Sequence, residues 1–314
     1  MESVRGFLPP VCLVGLRRAR RVVRRIRYHA RAVSGFARRV RRDDVGDALV
    51  RIGVHEGDTA MVYCSLSRLG HVVGGAEAVI GAFRDVLGQN GTLAMPSFAV
   101  VGGGLDYLSS NPIFDPDTTP SSVGRLSEVF RAMPDARRSI HPTHSVSAAG
   151  RLAEYITTGH ELASTPFGSG TPFEKLLGLD AWFLALGVDI HVFTLYHTFE
   201  DLEQGFPFNP YAQRRISARV RDRAGAVRTV SVPVHDPERS LHRLDQHTGV
   251  REVCREFFTK QNVLTETRIG SGRIAAVRAQ ALYACLQIML AQGITVYADY
   301  CTALTPGASS RARS

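Results

Sequence analysis

Thr194, His197 and Glu200 stand three residues apart in the segment TLYHTFEDLEQ, positions 194–204. On a helix this spacing sets a hydroxyl, an imidazole and a carboxylate along one side. Such a row can move a proton. Histidine ionises near neutral pH, and a carboxylate one turn away can orient the ring and make it more basic. That base suits attack by an amine, which must lose its proton before it is a nucleophile. The same residues also suit the first turns of a solvated helix, where acids complement the dipole and Thr194 is an N-cap. Glu200, with Asp201 and Glu203, could orient His197 or attract a cationic substrate.

The elements that must position this row follow from the hydrophobic pattern. VGDALVRIGV has helical spacing and GDTAMVYCS reads as a strand. AEAVIGAFRDVL is an amphipathic helix stopped by GQNG, and GTLAMPSF is a second buried strand. Strand, helix and strand with short glycine-rich joints make a parallel crossover unit. SSVGRLSEVFRAM reads as a helix opened by a serine cap, and WFLALG as a central strand just before the row. RRISARVRDRAGAVRTVSVPV alternates around Asp-Arg-Ala-Gly, a hairpin pattern. Charged helices are expected around 239–258 and 272–292. The fold class is therefore α/β: a central, mostly parallel sheet flanked by helices, with an antiparallel hairpin insertion.

The 314 residues, 44% hydrophobic and 21% charged, allow a sizeable core. The net charge of +9 is unevenly placed. Residues 1–42 hold thirteen arginines and one acid, and the remainder 25 Lys+Arg against 28 Asp+Glu. The chain divides into a basic extension (1–42), a single domain (43–304) and a flexible tail (305–314). The acidic body gives no sign of nucleic-acid binding. The leader's apolar run, residues 7–16, is too short to span a bilayer and is interrupted by Pro9 and Pro10. Two readings of it stand: a basic amphipathic helix making peripheral contact with an anionic membrane, or a solvated extension. A cytoplasmic location is expected. Cys12, Cys64, Cys254, Cys285 and Cys301 are odd in number and lack CxxC spacing, which fits a reducing compartment. His141 and His144 in HPTHS lack the register of a zinc helix and read as structural, so no metal is expected. VGGGL at 101–105 lacks the spacing of a phosphate loop.

Four stretches in order carry a resemblance. They are YCSLSRLGHVVGGAEAVIGAF with GQNGTLAMPSF, TTPSSVGRLSEVFRAMPDARRSIHPTHSVSAAG, TPFGSGTPFEKLL, and LGVDIHVFTLYHTFEDLE. Together they resemble the aminoglycoside 3-N-acetyltransferase family, the antibiotic N-acetyltransferase fold rather than the GNAT type, across roughly residues 45–300. The resemblance implies an N-acetyltransferase that moves an acetyl group from acetyl-CoA, its cosubstrate, to an aminoglycoside or amino-sugar-like amine, the chemistry of antibiotic resistance. It implies His197 as general base with Glu200 and Thr194. It implies cofactor contacts from Ser65, Leu66, Gly74 and Gly75 along the pantetheine arm. Ser97, Arg138, Ser139, His141 and Ser145 would belong to the same tunnel, and Asp201, Glu203 and Phe199 to the acceptor side. Two departures stand out. Tyr63 replaces the family's usual histidine, and Phe199 its usual alanine, so a bulky ring is expected to reshape the acceptor pocket. Two other classes remain open: a biosynthetic acyltransferase for another small amine or glycan precursor, and a degenerate CoA-binding protein. Oxyanion stabilisation could come from Thr194 or the Ser65–Leu66 backbone, and Cys64 could in principle carry an acyl group.

Overall fold

A computed structural model describes residues 39–100 and 103–301; most of the basic leader, the tail and positions 101–102 lie outside them. The main sheet has seven strands in the order Thr265–Ile269, Gly272–Arg278, Trp182–Leu186, Thr59–Cys64, Thr92–Pro96, Val146–Gly150 and Arg137–Arg138. Only the three central strands run parallel; the strands on either side pair antiparallel. The α/β class holds, and "mostly parallel" describes only this centre.

Strand alternation explains why helices cover both faces. Met61, Tyr63, Phe183 and Ala185 point into one core, together with residues of the helices Pro172–Gly178, Leu195–Leu202, Thr248–Lys260 and Ala279–Ala291. Ala60, Val62, Trp182, Leu184 and Leu186 point into the other, with the helices Arg42–Ile52, Gly75–Leu87 and Arg125–Arg131. The sheet is thus the middle of three layers. Among the described residues no helix is long and apolar enough to cross a membrane.

The hairpin forms where the alternation places it, pairing Ile216–Arg221 with Val227–Val232. Asp222 closes its turn by accepting bonds from the Ala224 and Ala226 amides at 3.0 and 2.9 Å. With Ile113–Phe114 it makes a separate three-stranded sheet.

Three expectations shift. Gly272–Arg278 is a strand and only Ala279–Ala291 a helix, because a run buried on both faces has no period to distinguish the two. The helix Arg125–Arg131 is entered through Gly124 at φ 126°, and no serine caps it. The body begins before Asp43: Arg39–Val40 pairs in parallel with His71–Val72, and Arg42 bonds Asp85 at 2.6 Å.

Candidate active site

The carboxyl ends of the parallel strands create the site, as is general for open α/β sheets. Cys64 and Leu186 are register partners, so the turns that follow them leave the sheet side by side. Gly187 has φ 64°, and a Cβ there would lie 2.9 Å from the Ser65 carbonyl and 3.0 Å from Arg68 Cβ. Only glycine lets these two turns approach so closely. Beyond them lies a cavity of about 1010 Å³ lined by Tyr63–Ser67, Pro96, Phe98, Ser122–Arg125, Ser127, Val188, His191, Val192, Arg243 and Asp245.

The chain reaches the helix Leu195–Leu202 from Trp182–Leu186 through a single 3-10 turn, Ile190–Val192. Leu195, Tyr196 and Phe199 bury in the core and leave Thr194, His197 and Glu200 along another side. Thr194 occupies the N-cap position without capping through its side chain. Its hydroxyl meets the Tyr63 phenol at 2.6 Å, and its amide donates to the same phenol oxygen at 3.2 Å. Tyr63 therefore ties the end of a central strand to the start of this helix.

His197 Nδ1 lies 2.9 Å from Glu200 Oε2. A carboxylate only accepts, so Nδ1 carries the hydrogen and Nε2 holds the lone pair. Arg243 Nη1 donates to Nε2 and also lies 2.7 Å from Nδ1. Phe167 stacks on the ring, centroids 4.5 Å apart, and His235 leans against it at 4.3 Å. Glu200 is buried beside Arg243 and His235, each 3.7 Å away. Its Oε1 and the Nε2 of His235 make no hydrogen bond. Arg243 is fixed in turn by Nε donating to Asp245 at 2.7 Å.

The electrostatics correct one expectation. Burial, followed by the positive charge of Arg243, pushes His197 down to about 3, outweighing the opposite pull of Glu200. Glu200 orients the imidazole but does not make it more basic overall. The carboxylate itself is held below its usual range, because His197, His235 and Arg243 outweigh its burial. At neutral pH the pair is a neutral imidazole on an ionised carboxylate, the form able to accept a proton. His197, Glu200 and His235 bring ligand atoms within 4.8 Å of one another, a spacing a cation could span. Arg243 already places a fixed positive charge against two of the three, which opposes a metal there.

Of the residues read from sequence, Ser65 and Leu66 line the cavity. Gly74 and Gly75, at φ 79° and 63°, form the turn into the helix Gly75–Leu87 and lie outside the lining. The HPTHS block is also absent from the lining, though His144 packs edge-on against Phe98, which lines it, at 4.9 Å. Arg138 donates Nε to Ser145 Oγ at 3.0 Å and its Nη groups to the carbonyls of Thr119 and Ser97. Ser97 Oγ donates to Ser147 Oγ at 2.7 Å, and Ser139 Oγ meets His160 Nδ1 at 2.9 Å. His141 Nδ1 accepts from the His144 amide at 3.0 Å, a structural use of the ring. Phe199 faces the core, edge-on to Tyr283 at 5.1 Å, so its bulk is absorbed by packing and not by the acceptor side. Asp201 accepts from the Tyr211 hydroxyl at 2.8 Å and Glu203 from Gln287 at 2.9 Å. Cys64 lines the cavity, but burial pushes its thiol up to about 12, far from a nucleophilic thiolate. Sequence reasoning missed Arg243 and His235, which sit in irregular segments where no motif marks them, and Phe167, which lies within the TPFGSGTPFEKLL stretch but was given no role.

The site is thus an acid-oriented imidazole beside a cavity at the carboxyl edge of an α/β sheet. A family model described as aminoglycoside 3-N-acetyltransferase matches residues 61–291, and the chain belongs to that family. Aminoglycoside N(3)-acetyltransferase III from a Salmonella species is 36% identical over 168 residues, covering 50% of this chain and 58% of that protein. Aminoglycoside N(3)-acetyltransferase VII from Streptomyces paromomycinus is 34% identical over 167 residues, 49% and 58% of the two chains. The chain thus spans 58% of the length of these relatives. Among solved structures, aminoglycoside acetyltransferase AAC(3)-Xa superposes with a TM-score of 0.67 at 27% identity, covering 79% of this chain and 91% of that one.

Proposed function

We propose that the protein is an N-acyltransferase that moves an acetyl group from acetyl-CoA to a small amine, with neutral His197 as general base. The observation that carries this reading is the His197–Glu200 pair in contact with Arg243, which lines a cavity of about 1010 Å³. The Ser65–Leu66 turn lines that cavity, whose volume is enough for a pantetheine arm. A related fold, AAC-IIIb, is described as a binary complex with CoASH, and AAC(3)-IVa as a complex with apramycin, which agrees with donor and acceptor classes of this kind.

In this mechanism the thioester enters from the Ser65 side and the amine approaches His197. The imidazole takes the amine proton while Glu200 holds its other nitrogen, and the amine attacks the thioester carbon directly. Orientation and a correctly protonated base are what the residues supply.

Within the amine class, a second acceptor reading is favoured by one observation. Asp201 and Glu203, the acids that the sequence offered to hold a polycation, are engaged by Tyr211 and Gln287 and lie outside the cavity lining. Asp245, which is in the lining, is held by Arg243. A neutral amino sugar or another small amine therefore stands beside the aminoglycosides as acceptor. The test is CoA-thiol release from acetyl-CoA across a panel holding both kinds of amine. His197→Ala should abolish turnover and leave CoA binding nearly intact; retained turnover would reject the assignment.

A further inference from the structure

We infer that Arg243 is a catalytic residue that stabilises the thioester oxyanion, exchanging His197 for that oxygen as the proton is transferred. The inference rests on the acyl-transfer reading above and adds to it a residue that the sequence left unmarked.

Three observations carry it. Arg243 Nη1 donates to His197 Nε2, the one nitrogen able to accept a proton, since Nδ1 faces Glu200. Arg243 lines the cavity, and His197 is not among the lining residues, so the guanidinium stands between the cavity and the base. Its Nε is anchored on Asp245 at 2.7 Å, while Nη2 makes no hydrogen bond among the described residues. The side chain is therefore held at one corner and has a donor to spare at the other.

Chemistry then forces a change of partner. Nε2 has a single lone pair, so the docking amine first displaces Arg243 from it. As the amine nitrogen then bonds to the thioester carbon, its proton passes to His197 Nε2 and the carbonyl π pair moves to oxygen. Nε2 is now itself a donor on a cation, so it can no longer accept from Arg243 and repels it. In the same step an oxyanion forms within the cavity that Arg243 lines. A guanidinium pivoting about its Asp245 anchor exchanges a lost acceptor for a stronger one. When the intermediate collapses, the C–S bond breaks, sulfur keeps the electron pair and takes the proton from His197, and Nε2 again becomes an acceptor for Arg243.

Two of the donors that the sequence offered for this role are otherwise engaged. The Thr194 hydroxyl is held by Tyr63 at 2.6 Å, and the Ser65 amide donates to the Leu186 carbonyl at 2.9 Å.

The exchange predicts a pH signature. The groups facing His197 are Glu200 on its own helix, Arg243, His235, and His144 from the HPTHS turn, with Phe167 stacked on the ring and Asp245 behind Arg243. Arg243 is the largest charge among the causes that depress the imidazole, so its removal raises the pH at which His197 protonates.

The experiment compares the parent with Arg243→Gln, Arg243→Ala and Arg243→Lys on acetyl-CoA and the best amine of the panel. Arg243→Gln should lower kcat about 10²–10³-fold, the usual effect of losing one oxyanion donor, with acetyl-CoA affinity by calorimetry little changed. The acid limb of kcat/KM should move to higher pH, and added guanidinium should restore part of the Arg243→Ala activity. Arg243→Lys, which keeps the charge and most of the packing, should fall between parent and Arg243→Gln. Parent-like kcat in Arg243→Gln overturns the inference, as does a loss of activity with an unmoved acid limb and no guanidinium rescue, which marks a strut. A parent that turns over no amine removes the acyl-transfer reading and this inference together; an active parent with the overturning results removes this inference alone.

Discussion

Two buried arginines, Arg138 and Arg243, show how alike a structural and a reactive polar cluster can look in sequence. Arg138 meets no carboxylate; its donors are taken by Ser145 and by the carbonyls of Thr119, Ser97 and Pro116. Burial pushes it down to about 10. Arg243 is flanked by Asp245 and Glu200, and its contact with His197 can exist in only one protonation state of the ring. Around it Glu200 Oε1 and His235 Nε2 make no hydrogen bond, only longer ionic contacts at 3.7 Å. Complete satisfaction marks architecture, and unmet or conditional bonds mark chemistry.

That contrast can be broken by experiment. The largest effect is expected at His197: replacement by alanine should cost at least about 10²–10⁴-fold in kcat, the range for a general base, with the melting temperature little changed. A proportionate loss of CoA binding would instead place His197 among structural residues. Arg138→Met should do the reverse. It strands several buried acceptors at about 1–3 kcal/mol each, so urea unfolding should show a loss of roughly 3 kcal/mol or more. A stable but inactive Arg138→Met protein would contradict the division.

The histidines sharpen the comparison through pH. His141, His144, His160 and His197 are all held below their usual value, burial first, with His160 down to about 3. A group depressed in the folded state favours folding above its unfolded pKa and loses that advantage as pH falls. Between about pH 6.5 and 5 each should therefore cost up to roughly 2 kcal/mol. Unfolding at pH 7.5 and 5 measures this. His160→Gln should show a shallower fall than the parent, and an equal fall would remove His160 from the account. The smallest effect belongs to Tyr63→Phe, which should lose about 1 kcal/mol of stability with the Thr194 bond. A larger loss in kcat than in stability would bring Tyr63 into the chemistry.

The strands at the sheet centre are readable as short apolar runs bounded by glycine-containing turns, and the row Thr194, His197 and Glu200 by its three-residue spacing. Gly272–Arg278 is not, since it runs straight into the helix Ala279–Ala291 with no breaker between them. Arg138 and the HPTHS block read as cavity residues in the sequence because a resemblance transmits a motif without saying which way its side chains turn. Arg243 escapes notice for the opposite reason. It lies 46 residues from His197, and only the folded chain brings the two together.

Gly187 has a consequence for anyone altering this cavity. It is not among the residues lining the cavity, yet it backs the Ser65–Leu69 turn so closely that one added methyl must displace it. The bore of the channel is thus governed from outside its wall. A change at Gly187 would act like a set-screw on the passage, narrowing or skewing it while every lining side chain keeps its identity.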